Sequence, residues 1–161
     1  MTESFEKMIN ETRQTRQVWV VFTNQTELPW VRIFKQGFRH CFILINDGNN
    51  WISVDPMANY MDVVVHHVPA AFDLSGWLEQ RGHHLVETQI STEINKSAPW
   101  MLFTCVEACK RILGIHSRSI FTPWQLYQYL NSEIREKSVR RTVFSKLREK
   151  FYHKGVFSWE V

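Results

Sequence analysis

The pattern of apolar and polar positions divides the chain into a strand-rich first half and a helical second half. Gln17 to Thr23 (QVWVVFT) is β-branched and aromatic and predicts a strand. Asn24 to Pro29 is turn-like, and Trp30 to Phe34 reads as another extended piece. The clearest hairpin comes next. Arg39 to Asn46 (RHCFILIN) forms one strand and Trp51 to Asp55 (WISVD) the returning strand, which Pro56 stops. Asp47-Gly48-Asn49-Asn50 between them has turn chemistry, because Gly and Asn tolerate positive φ. Met61 to Val68 predicts a third strand ended by Pro69. Residues 70–81 predict a short helix around Phe72, Leu74, Trp77 and Leu78, closed by Gly82. His83 to Ile90 alternates as a further strand.

Residues 91–100 are polar and loop-like, and the strongest helix signal follows them. Thr104-Cys105-Val106-Glu107 is a capping box, with Thr at N-cap and Glu at N3. Val106, Cys109, Ile112 and Leu113 continue at helical spacing, and Gly114 suits the C′ position. Thr122-Pro123-Trp124-Gln125 is a second box with Pro at N1, opening a helix through Leu126, Tyr129 and Leu130. From Glu133 to Lys154 the chain carries Arg135, Lys137, Arg140, Arg141, Lys146, Arg148, Lys150 and Lys154 against three Glu. That excess of five positive charges predicts one or two basic helices.

Strands first and helices afterwards argue for an α+β fold, an antiparallel β-sheet with helices packed on one side. The expected organisation is a polar N-terminal helix or arm over 1–16, a core over 17–131, and a basic helical C-terminal extension over 132–161 packed on or flanking that core. With 161 residues, 44% of them hydrophobic, the chain has enough apolar material for one core without staples. A formal charge of +3 is too mild to argue for nucleic acid by itself. Three cysteines, Cys41, Cys105 and Cys109, do not read as a disulfide framework and fit a reducing compartment. The first 17 residues lack the apolar core of a secretory signal, and no apolar run reaches membrane-span length. The expectation is a soluble protein, cytoplasmic as synthesised.

Cys105 is the residue that points to chemistry. At N1 of a helix its thiol faces unsatisfied backbone N–H groups and the positive end of the helix dipole, both of which favour the thiolate. The same N–H groups suit an oxyanion. Glu107 opposes this as a nearby negative charge. His40 starts the first hairpin strand and Asp55 ends the returning one, so the hairpin sets them at the same end of neighbouring strands. A His between a thiol and an orienting carboxylate is the general thiol-enzyme arrangement. Ser53 or Asn50 takes the third role if the register differs.

Two segments carry a family resemblance. Phe38-Arg39-His40-Cys41-Phe42-Ile43-Leu44-Ile45-Asn46-Asp47-Gly48-Asn49-Asn50-Trp51-Ile52 resembles the His strand and hairpin of NlpC/P60-type papain-like cysteine enzymes. Phe103-Thr104-Cys105-Val106-Glu107-Ala108-Cys109-Lys110-Arg111-Ile112-Leu113-Gly114-Ile115 resembles their Cys-bearing helix. His precedes Cys here, as in the circularly permuted branch that includes the lecithin retinol acyltransferase-like proteins. The resemblance spans roughly residues 17–130. It implies a sheet packed on the Cys helix and activity as an amidase, peptidase or acyltransferase on an amide or ester. Cys41-Phe42 stand where the family has small residues, which narrows the cleft.

Plainer readings stand beside these. Cys109, one turn beyond Cys105, and Cys41, opposite His40 on its strand, are expected in the core. His66-His67 and His83-His84 invite a zinc reading, but adjacent strand residues point to opposite faces and the spacing fits no finger. No cofactor or metal is expected. Trp100 and Trp124 flank the Cys helix, where either core packing or a cleft suits them. Two other functions remain in view: a catalytically silent interaction module of a larger bacterial or viral assembly, or nucleic-acid binding through the basic segment 133–154. The first predicts a complex that depends on Arg140, Arg141 and Lys146, the second an affinity that falls steeply with salt.

Overall fold

A computed structural model of the protein describes residues 16–25, 29–91 and 102–152. The expected N-terminal arm over 1–15, most of the polar loop over 91–100, Trp100, and the end of the basic segment lie outside the described residues. Five antiparallel strands form one sheet: β1 (Gln17–Thr23), β2 (His40–Asn46), β3 (Trp51–Pro56), β4 (Met61–His66) and β5 (His84–Thr88). Their order across the sheet is β4-β3-β2-β1-β5. Three α-helices accompany them: α1 (Leu74–Gln80), α2 (Cys105–Leu113) and α3 (Pro123–Tyr152).

The sheet is covered on both faces, which corrects the expectation of helices on one side only. Val18, Val20, Phe22, Cys41, Ile43 and Val86 pack with Val106, Cys109 and Leu113 of α2 and Leu126 and Leu130 of α3. On the other face, Leu74 and Leu78 of α1 lie against Val21, Leu44 and Trp51. The reason is in β1. Its VWVVF run buries Val20, Val21 and Phe22 completely, so neither face of the strand can be left to water. Trp51 Nε1–H donates to the Phe72 carbonyl at 3.0 Å, pinning the approach to α1.

The segment around Trp30 is a second correction. Pro29–Ile33 is a 3-10 helix and not an extended piece. Pro29 has the fixed φ that starts a helical turn. Within it Val31 alone is described as buried, while Ile33 is 84% exposed, so the apolar content marks no strand face.

The β2–β3 hairpin positions the candidate site. Ile43 lies opposite Val54 and Asn46 opposite Trp51. In the connecting turn only Gly48 has positive φ, and the Asp47 carboxylate accepts from the Asn49 and Asn50 N–H groups at 2.9 and 2.7 Å. Asp47, more than the asparagines, therefore fixes the register.

Both N-caps form, the second as a complete reciprocal box and the first by its threonine alone, the Glu107 carboxylate being held by Lys110 and Arg111. Thr104 Oγ1 accepts from the Glu107 N–H at 3.2 Å, and Gly114 closes α2 in the left-handed region at φ 73°. Thr122 Oγ1 accepts from the Gln125 N–H at 3.2 Å, and Gln125 Oε1 accepts in return from Thr122 and Phe121 at 3.0 and 2.9 Å. The helix so started is a single one of 30 residues. Leu126 and Leu130 anchor its first turns in the core, and every residue from Ile134 to Ser145 is exposed.

Candidate active site

Three elements converge at the beginning of β2. Continuing the hairpin register by one step sets Asp55 opposite Phe42, on the same face as His40. His40 Nε2 lies 2.6 Å from Asp55 Oδ1. The two alternatives for this role are otherwise engaged. Ser53 Oγ pairs with His66 Nε2 at 2.9 Å, and Asn50 is an exposed turn residue at the opposite end of the hairpin. Asp55 is therefore the His40 partner.

Cys105 is the first residue of α2, half-buried against the core cluster that contains Cys41, Val106 and Cys109. Cys105 and His40 lie close enough for each to shift the other's ionisation. With Nε2 on Asp55, Nδ1 is the ring nitrogen left for the sulfur. Cys105, His40 and Asp55, drawn from a helix and two strands, thus stand in one chain of contacts.

The electrostatics of this chain favour a charged pair. A hydrogen bond from the Cys41 thiol is the largest influence on Cys105. Burial opposes it, the His40 hydrogen bond and charge reinforce it, and the Cys105 thiol is lowered to about 5. Burial pulls the His40 imidazole down. Hydrogen bonds to Asp55 and Cys105, together with their charges, outweigh it and push it up to about 10. Thiolate and imidazolium are the forms that coexist between those values.

Cys41 has a role beyond the one its strand position suggests. Its side chain is completely buried, as expected of a core residue. Burial first, then its contacts with Cys105 and Cys109, push its thiol well above the ordinary range, so it stays protonated and donates. Cys109 Sγ in turn donates to the Cys41 carbonyl at 3.7 Å. Alternation along β2 assigns Cys41 to the core face but cannot reveal which sulfur it meets there.

Glu107 does not work against the thiolate as its sequence position suggests. Its carboxylate takes Lys110 Nζ at 2.7 Å and Arg111 Nε at 3.0 Å. Burial pushes the carboxyl up, but these two cations outweigh it and hold it below the usual range, so the charge is compensated on the spot. Lys110 also donates to the Ile120 carbonyl at 3.3 Å, tying α2 to the segment that leads into α3. Glu107 and Lys110 are 4% and 1% exposed. Their i, i+3 spacing was the available signal for this pair.

The remaining candidates are dispersed. His84 stacks on Phe38 with ring centroids 4.7 Å apart, and His66 is held by Ser53. Among the described residues no three His, Cys, Asp or Glu side chains gather in a metal-holding group. Trp124 packs edge-on against Phe38, and the Lys35 ammonium lies over its ring. Among the described residues no helix is long and apolar enough to cross a membrane. In comparisons with known proteins, no family model, no curated protein and no solved structure matches the chain.

Proposed function

We propose that this protein is a thiol hydrolase, an amidase or peptidase, or an acyltransferase, built as a circularly permuted papain-like fold of the NlpC/P60 kind. The observation that carries the reading is the contact chain Cys105–His40–Asp55 at a helix N-terminus. Cys105 Sγ attacks the carbonyl carbon of an amide or ester. The carbonyl oxygen takes the negative charge, facing backbone N–H groups of the first turn of α2 that have no intrahelical partner. His40 then gives its proton to the departing amine or alcohol, leaving a thioester on Cys105. Water, or an acceptor amine or alcohol that gives its proton to the now neutral His40, attacks the thioester, releases the acyl product and restores the thiolate–imidazolium pair. Asp55 orients the ring and stabilises its charged form.

The test is iodoacetamide alkylation as a function of pH, resolved to each cysteine by mass spectrometry. Cys105 is expected to react with a midpoint near pH 5, while fully buried Cys41 and Cys109 stay protected. His40→Ala moves the midpoint up toward that of a free thiol. The enzyme reading fails if Cys105 titrates like a free thiol, or stays inert, and His40→Ala changes nothing.

One observation favours a second reading, a silent member of the same fold that docks a partner. The exposed stretch of α3 carries Arg135, Lys137, Arg140 and Arg141 beside exposed Val139, Val143 and Phe144. An inert Cys105 together with a stable hetero-complex lost on Arg140→Glu/Arg141→Glu identifies that case.

A further inference from the structure

β4 is an edge strand, with β3 as its neighbour among the described residues. Edge strands of soluble proteins are normally protected by charged residues, above all lysine, by proline, a bulge or a covering element, because their outer backbone groups invite another strand; β4 has one such charge, Asp62. β4 reads Met61-Asp62-Val63-Val64-Val65-His66 and contains neither lysine nor proline. Met61, Val63, Val64 and Val65 are 38, 59, 38 and 49% exposed. Single exposed valines need no explanation, but three in succession along an edge that no other described strand covers do.

The edge is complementary to itself. Reflected about Val64, Asp62 falls on His66 and Val63 falls on Val65. Asp62, Val64 and His66 share one face of the sheet, and Met61, Val63 and Val65 share the other. The reflection keeps each residue on its own face, as a twofold axis normal to the sheet requires. Shifting the centre by one residue sets Asp62 against Val64 or Val68, and both Asp62–His66 pairs are lost. His66 Nε2 is held by Ser53, which leaves Nδ1 for the new contact.

A second observation agrees. Within one chain Asp62 lies directly opposite Asp55 on β3. Like charges at directly opposed positions are unfavourable. His40 already pairs with Asp55, so a histidine brought alongside Asp62 serves the second carboxylate of this opposed pair.

We infer that the occupant of this edge is a second copy of the chain, joined β4 to β4 in antiparallel fashion about Val64 into a continuous ten-stranded sheet. Each copy sets its His66 beside the other's Asp62, one strand away from the His40–Asp55 pair. This inference stands independently of the thiol-enzyme reading. Five paired residues of β4 per copy, Asp62 to His66, make a small contact, so association is reversible and concentration-dependent.

Sedimentation velocity of the full chain from about 5 to 500 µM tests it, a range that brackets a weak interface. The mass is expected to rise from the 19.2 kDa of one chain toward twice that value. Asp62→Lys is expected to weaken association about tenfold or more, since both symmetric Asp62–His66 contacts lose their acceptor. Asp62→Lys/His66→Glu, which restores opposite charges across the same axis, is expected to recover it. Val64→Pro is expected to abolish it by removing a ladder donor. A mass that stays at one chain throughout, or self-association indifferent to Asp62→Lys, overturns the inference.

Discussion

A thiol at N1 of a helix is already biased toward the thiolate by the free N–H groups of the first turn, and Cys41 adds a donor from the strand side. A hydrogen bond to a charged group contributes about 1.5–3 kcal/mol, roughly one to two pH units, with a weak S–H donor at the low end. Cys41→Ala is therefore expected to raise the alkylation midpoint of Cys105 by about one unit. Cys41→Ser, which keeps a donor, is expected to restore most of it, and a midpoint that ignores both variants removes Cys41 from the site. On an activated ester, turnover should appear as pH rises through about 5 and disappear through about 10, where the thiolate and the imidazolium are lost in turn. Cys105, His40 and Asp55 could be singled out in the sequence because each sits at the end of an element marked by local signals: a capping box, a strand start, a residue before proline. Cys41 could not. Alternation and hydropathy give the side a residue faces, not the neighbour it meets there.

Among the elements, α2 depends on a pair that its amphipathic pattern hides. Removing one partner of a buried ion pair typically costs about 3–5 kcal/mol, because the other charge stays buried alone. Glu107→Leu is expected to cost about that much in urea denaturation, and Glu107→Leu/Lys110→Met to recover most of it. A single variant as stable as the parent would mean that Lys110 escapes to solvent. Thr104→Ala, which removes one cap, is expected to cost about 1 kcal/mol. The two N-caps and the hairpin turn were legible because their hydrogen bonds run between residues two to four apart. The 3-10 turn at Pro29–Ile33 was not, since five residues are too few for periodicity to separate a turn from a strand. In α3, Leu126 and Leu130 are clamped in the core while every residue from Ile134 to Ser145 is exposed. Amide exchange in the first two turns is expected to track global unfolding, and exchange beyond Ile134 to be faster by orders of magnitude.

For the molecule as a whole, the coupled pair also sets how stability responds to pH. Cys105, lowered from 9.0 to about 5, contributes stability that is present above pH 9 and lost as pH falls through about 5. His40, raised from 6.5 to about 10, contributes stability present below 6.5 and lost as pH rises through about 10. Between pH 6.5 and 9 the folded pair and the unfolded chain hold one proton each, so this contribution is flat there and declines on both sides. Melting temperatures across that range should show the plateau in the parent and lose its shoulders in Cys105→Ala. The α+β class followed from element order, whereas the second covered face did not. That face depends on α1 folding back over β1, β2 and β3 through Leu74 and Leu78, a long-range choice no local pattern encodes. Shape is the last consequence, and it comes from α3. A compact chain of 161 residues has a radius of gyration of about 15 Å. A 30-residue helix is about 45 Å long. With residues 134–145 exposed all along it, the particle should drag and tumble like a body larger and more elongated than its mass, eluting early from a sizing column even as a single chain.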